Sequence, residues 1–208
     1  MGSVARSSRL VLLLSGGGIN LQAILDACAD GWLPAQVVAV IGNKAEAFGL
    51  ERARRTGVPA IHLSPAPFRD LADPRRAYDA ALADLAAGFR PDWVVLAGWM
   101  RLLTMPFLAR FPGRVVNLHP ARPGAFPGAH AIERAYQASR RGEISETGVM
   151  VHLVPDEGMD DGPVLAWEPV PILPTDALAD LEARVHAVEH RLLPETLRRL
   201  IAGELPSS

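Results

Sequence analysis

The sequence predicts an α/β protein with a Rossmann-like, mostly parallel central sheet that is flanked by helices and followed by a long C-terminal helix. Short apolar runs alternate along the chain with segments of helical periodicity, which is typical of βαβ units. Several of these runs are apolar without interruption, as expected for strands covered on both faces. No internal repeat is visible, and a chain of 208 residues fits one such domain.

The strand candidates are the apolar runs between turn residues. They lie at 10–14, 37–41, 60–63, 93–97, 115–118, 149–154 and 164–170. The first, second, fourth and fifth are almost wholly apolar, so we expect both of their faces to be covered.

The helix candidates lie between these strands. They are predicted at 21–29, 46–56, 75–87, 105–111 and 129–141, with a last helix that opens near 175. Asn20 is expected to cap the first helix, and Pro74 to lie in the first turn of the third. The last helix has an apolar stripe at steps of three and four residues, which should lie on the sheet. Its members are Leu178, Leu181, Val185, Val188 and Leu192. Pro194 should kink or end this helix.

Composition limits the domain organisation and the partners. We expect residues 1–8 to be a flexible tail and residues 9–204 a single domain, with a nucleotide-binding half at 9–111 and a catalytic half at 112–204. The formal net charge of −2 gives no support for a nucleic-acid or membrane partner. Cys28 is the one cysteine, which predicts a reducing cytoplasm.

A glycine-rich turn follows the first predicted strand, with the sequence Ser-Gly-Gly-Gly-Ile-Asn at 15–20. A turn of this kind places backbone N–H groups and a helix N-terminus in front of an anion. The Lys-Ser/Thr of a Walker motif is missing, and the second strand ends in Gly42-Asn43-Lys44 without the acidic residue of a dinucleotide site. A single phosphate therefore fits better than a pyrophosphate, and a tight turn without a ligand is the alternative.

A polar pair, Asn117 and His119, ends the fifth predicted strand just before Pro120. Residues two apart on a strand share a face, and ligands of open α/β sheets bind beyond the carboxyl ends of the strands. An amide beside an imidazole suits stabilisation of an oxyanion together with proton transfer. A strand-end asparagine and a buried structural histidine would give the same pattern.

An acidic loop at 155–163 lies between the last two predicted strands. We expect one of its carboxylates to fold over the crevice and pair with His119, orienting the ring and raising its pKa. A merely solvated loop is the alternative. The remaining histidines show no metal-binding spacing, so no metal site is predicted.

These motifs together resemble the phosphoribosylglycinamide formyltransferases, the folate-dependent transformylases of purine synthesis. The resemblance covers about residues 10–200. It is carried by the stretches 14–23, 43–53, 96–101, 117–120, 126–128 and 160–163, of which 43–53 is the most specific.

The resemblance implies a reaction between 10-formyltetrahydrofolate, as co-substrate, and glycinamide ribonucleotide, without a metal. It implies that Asn117 and protonated His119 hold the tetrahedral oxyanion. It implies that Asp160 keeps His119 charged and helps to move the proton from the amine to the leaving folate nitrogen.

The resemblance also implies two sets of binding residues. The ribonucleotide set is Gly18, Ile19, Asn20, Pro120, His186 and Glu189. The folate set is Arg75, Met100, Arg101, Leu102, Leu103, Asn117, Val154, Pro155, Asp156, Glu157 and Asp160. We expect small-molecule substrates only, and a monomer or weak homodimer.

The sequence departs from the family pattern at three places. Ile19 replaces a hydroxyl residue of the phosphate turn, Met150 stands where Ser or Thr is usual, and Arg122-Pro123-Gly124 alters the loop after the histidine. The three catalytic residues are present, so activity is expected despite these changes.

Two other functions compete with this interpretation. A 10-formyltetrahydrofolate hydrolase would use the same three residues with water as the acceptor, but that family has an extra N-terminal domain for which this length leaves no room. A nicotinamide-dependent oxidoreductase is the alternative of another class, and Asn43-Lys44 at the end of the second strand argues against it.

Overall fold

The computed structural model describes residues 7–206, which form one sheet with helices on both faces. The strands are β1 (Ser8–Leu14), β2 (Ala35–Gly42), β3 (Ala60–His62), β4 (Trp93–Leu96), β5 (Val115–His119), β6 (Glu146–Leu153) and β7 (Val164–Pro171). The helices are α1 (Ile19–Ala29), α2 (Phe48–Arg55), α3 (Pro74–Gly88), α4 (Met105–Leu108), α5 (Ala131–Arg140) and α6 (Leu178–Ile201), with a 3₁₀ turn at Ala66–Phe68.

The sheet is mostly parallel, which confirms the predicted fold class. Its strand order is β3-β2-β1-β4-β5-β6-β7. The first five strands in chain order pair in parallel, whereas β6 is antiparallel to both β5 and β7. Strand order reverses between β1 and β4, and the crevice beyond their carboxyl ends is where such sheets bind ligands.

Alternate residues of the central strands enter two separate cores. Leu10, Leu12 and Leu14 of β1 pack with α1, α2, α5 and α6 on one face. Val11 and Leu13 pack with α3 and α4 on the other. All five side chains are fully buried, so β1 is covered on both faces as its apolar run predicts.

The predicted elements all occur, with changed ends. β1 starts at Ser8, so the last residue of the predicted tail is strand, and residues 1–6 of that tail lie outside the described residues. The fourth helix ends at Leu108, three residues early, and α6 begins at Leu178 rather than near 175.

Pro194 does not end the last helix, because α6 continues to Ile201. A proline inside a helix costs about 3 kcal/mol or more. Burial next to and after the proline offsets this cost, since Leu193 and Leu197 are fully buried and Leu200 nearly so. Tertiary packing of the helix has outweighed the helix-breaking tendency of the proline.

The prediction that Asn20 caps α1 is also wrong. Gly18 occupies the N-cap position with φ +70°, and no side chain caps the helix. The Asn20 amide instead donates to Glu189 Oε2 at 3.2 Å, which joins α1 to α6.

Candidate active site

The carboxyl end of β5 carries Asn117 and His119 on one face of the sheet, as predicted. The antiparallel register with β6 sets Asn117 opposite His152 and His119 opposite Met150. His119 is only 4% exposed. These four side chains therefore share one surface of the β5–β6 pair.

The loop between β6 and β7 brings Asp160 to this surface. Its two ends are joined where the Leu153 amide donates to the Pro163 carbonyl at 2.9 Å. Asp160 adopts φ +55°, a left-handed conformation that aspartate tolerates better than most residues. The predicted folding of this loop over the crevice is what the structure shows.

Asp160 is the centre of a compact hydrogen-bonded group. Its Oδ1 accepts from Asn117 Nδ2 at 3.0 Å, and its Oδ2 accepts from the Gly128 amide at 2.8 Å. His119 Nδ1 lies 3.3 Å from Oδ2, and His152 Nε2 lies 3.6 Å from Oδ1. The amide, the imidazole and the carboxylate thus converge in one place.

Two opposing effects set the protonation states in this group, namely burial and hydrogen bonding. Burial would raise the pKa of Asp160, but the neighbouring His152, the Gly128 amide that donates to it and the His119 ring outweigh burial, so the carboxylate pKa lies below its ordinary value. Asp160 therefore stays ionised at neutral pH.

The pKa of His119 moves in the direction opposite to the one expected. Burial lowers this pKa by more than Asp160 and the Phe126 carbonyl raise it. The carboxylate does not keep the resting ring charged. It is instead placed to stabilise the imidazolium once negative charge develops nearby.

A cavity of about 270 Å³ opens next to these side chains. Seven members of the predicted folate set line it, namely Met100, Arg101, Leu102, Leu103, Asn117, Val154 and Asp160. Met100 is 72% exposed, so this wall presents apolar surface to the cavity mouth. Pro120, from the predicted ribonucleotide set, lines the same cavity.

The segment 98–103 that forms this wall is fixed at both ends. The Met100 amide donates to Ser15 Oγ at 2.9 Å, next to the glycine turn. The Thr104 amide donates to the buried Asp79 at 2.7 Å. Between these anchors, the Arg101 guanidinium lies 5.0 Å from the centre of the Tyr78 ring.

Four members of the predicted folate set do not line the cavity. They are Arg75, Pro155, Asp156 and Glu157. Arg75 is exposed in the first turn of α3. Glu157 accepts from the Met105 amide at 2.8 Å and pairs with Arg76 at 3.2 Å, so it fastens the acidic loop to α3 and α4.

Most of the predicted ribonucleotide set forms a second group at the N-terminus of α1. Glu189 Oε2 accepts from Asn20 Nδ2 at 3.2 Å and lies 2.9 Å from His186 Nδ1. The hydrogen bond to Glu189 raises the pKa of His186 against the effect of burial. Gly18 precedes the helix, and Ile19 is 51% exposed.

Sequence reasoning missed His152. It is 2% exposed, accepts with Nε2 from Asn117 Nδ2 at 3.1 Å, and donates with Nδ1 to the Leu153 carbonyl at 2.8 Å. A histidine in an otherwise apolar strand was the available signal. The missing information was the register that sets β6 against β5.

Among residues 7–206, no cluster of three His, Cys, Asp or Glu side chains could hold a metal ion. The same residues include no helix that is both long and apolar enough to cross a membrane. Burial raises the pKa of Cys28 to about 11, which makes its thiol a poor nucleophile.

The sequence and the fold match a known class of enzymes. The sequence model of the formyl transferase family matches residues 8–197, and the chain belongs to that family.

Similar proteins narrow the class. The phosphoribosylglycinamide formyltransferase of Schizosaccharomyces pombe is 42% identical over 200 residues, covering 92% of this chain and 96% of the relative. The Escherichia coli protein of that name is 41% identical, covering 94% of this chain and 88% of its own. The crystal structure of glycinamide ribonucleotide transformylase 1 from Symbiobacterium toebii matches with a TM-score of 0.89 and 42% identity, covering 98% of this chain and 92% of the other. Within the family, the chain belongs to the phosphoribosylglycinamide formyltransferases.

Proposed function

We propose that the protein transfers the formyl group of 10-formyltetrahydrofolate to the amine of glycinamide ribonucleotide, a step of purine synthesis. The products are N-formylglycinamide ribonucleotide and tetrahydrofolate. The observation that carries this proposal is the convergence of Asn117, His119 and Asp160 at one cavity, in a chain whose relatives carry that activity in their names.

The reaction exchanges one carbon–nitrogen bond for another. The amine nitrogen attacks the formyl carbon, and the bond between that carbon and N10 of the folate breaks. The proton that the amine loses passes, directly or through water, to N10. At the intermediate stage the formyl oxygen carries the negative charge that must be stabilised.

Asn117 and His119 are placed to stabilise that oxygen. The position of the Asn117 amide is fixed, because its nitrogen lies 3.0 Å from Asp160 and 3.1 Å from His152. One of its two N–H groups turns from these partners to the formyl oxygen when the oxyanion forms. His119 becomes charged as the oxyanion forms by taking up the proton that the amine loses, and the ionised Asp160 at 3.3 Å stabilises that charge until the proton passes on to N10. The same carboxylate assists the proton transfer between the two nitrogens.

The two substrates fit two neighbouring regions. The apolar wall at 98–103 suits the flat ring system of the folate, and Arg101 offers a cation to its anionic end. The amides at the N-terminus of α1 suit the phosphate of the ribonucleotide, with Asn20, His186 and Glu189 beside its ribose. The bond from the Met100 amide to Ser15 joins the two regions.

A hydrolase is a weaker alternative. Water as the acceptor would leave the glycine turn and the Asn20–Glu189–His186 group without a role. An oxidoreductase is weaker still, since β2 ends at Gly42 and is followed by Asn43 and Lys44, with no carboxylate for a dinucleotide ribose.

One assay tests the proposal. Purified protein is mixed with glycinamide ribonucleotide and a 10-formyl folate, and release of the deformylated folate is followed, with a no-nucleotide sample to detect hydrolysis. The change His119→Ala should reduce kcat by at least about a hundredfold. His62→Ala, at the end of β3, is the matched control and should leave kcat unchanged. Equal rates with and without the nucleotide would favour the hydrolase instead.

We also propose that the protein works in the cytoplasm, as a monomer or weak homodimer. The single cysteine and the small-molecule substrates support this placement. Sedimentation over a range of concentrations measures the oligomeric state, and a stable higher oligomer would contradict it.

A further inference from the structure

Residues 43–53, one of the stretches that carry the family resemblance, have no part in the chemistry proposed above. They form the loop after β2 and most of α2, and they pack on the glycine turn. The Gly49 amide donates to the Gly16 carbonyl at 3.1 Å, and Arg52 Nε donates to the Gly17 carbonyl at 2.9 Å. Two successive carbonyls of the turn therefore face α2.

The direction of these carbonyls fixes the direction of the amides that follow them. A peptide unit is planar and trans, so its C=O and N–H point in opposite directions. Because α2 holds the carbonyls of Gly16 and Gly17, the N–H groups of Gly17 and Gly18 are directed away from α2. Within the described part of the chain, the amides of residues 16–20 donate to no acceptor.

The backbone of α2 is in direct contact with the glycine turn, and this contact fixes the conformation of the turn. A Cβ on Gly18 would lie 2.6 Å from Gly49 Cα, so the two backbones touch. A Cβ on Gly16 or Gly17 would meet no atom within 4 Å. One side of the turn is therefore held firmly by α2, and the other side is open.

The Arg52 guanidinium is itself held in place. Its Nη1 donates to Gln22 Oε1 at 3.2 Å, and its Cζ lies 5.0 Å from the centre of the Phe48 ring. Arg55 shares that ring at 5.5 Å, but its Nε donates to Glu51 rather than to the turn. Only one of these two arginines of α2 therefore acts on the turn.

We propose that Arg52 is a positioning residue for the phosphate monoester of the ribonucleotide. It holds the Gly17 carbonyl against α2, so the amides of the turn are presented to the phosphate before binding, and its charge lowers the cost of bringing an anion there. This rests on the proposed function in one respect, namely that the glycine turn binds the substrate phosphate.

The test compares Arg52→Gln and Arg52→Lys with the matched control Arg55→Gln. Both Arg52 variants should raise KM for the ribonucleotide about tenfold, because the fork that bridges Gly17 and Gln22 is lost. Values of kcat, and KM for the formyl folate, should stay within about twofold. For glycinamide riboside, which lacks the phosphate, kcat/KM should be the same in all proteins. The inhibition constant of ribose 5-phosphate should rise with the KM of the ribonucleotide.

The possible outcomes separate the proposal from simpler explanations. An unchanged KM in Arg52→Gln, or an equal loss with the riboside, would overturn it. Full wild-type behaviour in Arg52→Lys would show that the guanidinium bridge between Gly17 and Gln22 is not needed and would also overturn it. A wild-type protein that binds ribose 5-phosphate but transfers no formyl group would defeat the proposed function, and direct ribose 5-phosphate affinities would still decide the role of Arg52.

Discussion

His119 lies between two acceptors, with Nδ1 3.3 Å from Asp160 and Nε2 3.1 Å from the Phe126 carbonyl. Both neighbours favour a protonated ring, and burial opposes it. The balance lowers the pKa, so the ring gains its charge most readily when an oxyanion forms beside it. A charge that appears only with the transition state stabilises that state more than the bound substrate.

Loss of the Asp160 charge should therefore slow the chemical step. Asp160→Asn keeps the size of the side chain but removes the counter-charge of the imidazolium and one of the two oxygens that accept from Asn117 and the Gly128 amide. We expect kcat to fall about a hundred- to a thousandfold. Asp161→Asn, the exposed neighbour in the same loop, is the control and should change kcat by less than about twofold. Similar losses in both variants would show that the loop as a whole, and not this carboxylate, is required.

The departures from the family pattern occupy distinct positions. Met150 is 1% exposed and faces His119 across the β5–β6 pair. The altered loop after His119 makes a tight turn, in which the Ala125 amide donates to the Arg122 carbonyl at 3.1 Å and Gly124 has φ +76°. Neither change interrupts the contacts among Asn117, His119 and Asp160.

At the scale of elements, the turns decide where the functional groups lie. The glycine turn joins β1 to α1, and the acidic loop joins β6 to β7. Each is short, tied to a neighbour by backbone hydrogen bonds, and contains a residue with positive φ at a functional position. Their conformations are therefore open to direct tests.

Gly18 and Gly17 should respond differently to alanine. Gly18 has φ +70° and touches Gly49, so Gly18→Ala should lower the free energy of unfolding by roughly 1–3 kcal/mol. Gly17 faces open space, so Gly17→Ala should change it by less than about 1 kcal/mol. Urea unfolding measures both. Equal losses would mean that the turn is not held against α2 in the way described.

Asp176 should make stability depend on pH. Its carboxylate, 4% exposed, binds both terminal nitrogens of Arg184 at 2.8 Å. The Arg184 hydrogen bonds lower the pKa of Asp176 from 3.8 to about 2. A depressed carboxyl pKa contributes stability above the unfolded pKa, and that contribution is lost as pH falls through the folded pKa.

The change Asp176→Asn should therefore lower the unfolding free energy at pH 7. The gap between wild type and variant should narrow as pH falls from about 4 towards 2. Exposed Asp70→Asn is the control and should stay within about 0.5 kcal/mol of wild type. A gap that is constant with pH would show that the ion pair is not the cause.

The sequence predicted the strands and the convergence of Asn117, His119 and Asp160, because apolar runs and local motifs are written in consecutive residues. It did not predict contacts that depend on how elements are set side by side. His152 reaches Asn117 through the β5–β6 register, and Asn20 leaves its expected cap because α6 brings Glu189 to it. Pro194 was misread for the same reason, since tertiary burial outweighed a local helix breaker.

At the scale of the whole molecule, one sheet joins the two predicted halves. The boundary near residue 111 falls between β4 and β5, which pair directly in parallel. The core above the sheet and the core below it share the same central strands. We propose that residues 9–204 unfold as one unit, because neither half can keep its core without the other.

Truncating core side chains on opposite faces of the sheet should test whether residues 9–204 unfold as one unit. Leu12→Ala and Leu13→Ala lie on different faces of β1, and each should cost about 2–5 kcal/mol. Far-ultraviolet circular dichroism and tryptophan fluorescence should report a single coincident urea transition in both variants. Two separated transitions would show that the halves are independent domains.

A backbone hydrogen bond ties the base of the acidic loop to the sheet. The half-exposed ion pair of Glu157 and Arg76 fastens its tip. Asn117 and His119 lie on a strand of the central sheet, whereas their carboxylate partner, Asp160, lies on a loop that can open without unfolding the sheet. Such loops open locally at a lower free energy than is needed to unfold the core to which they are attached. Mild urea or gentle warming should therefore abolish activity while the ellipticity is still that of the native protein. Activity should be lost at a lower urea concentration or temperature than secondary structure.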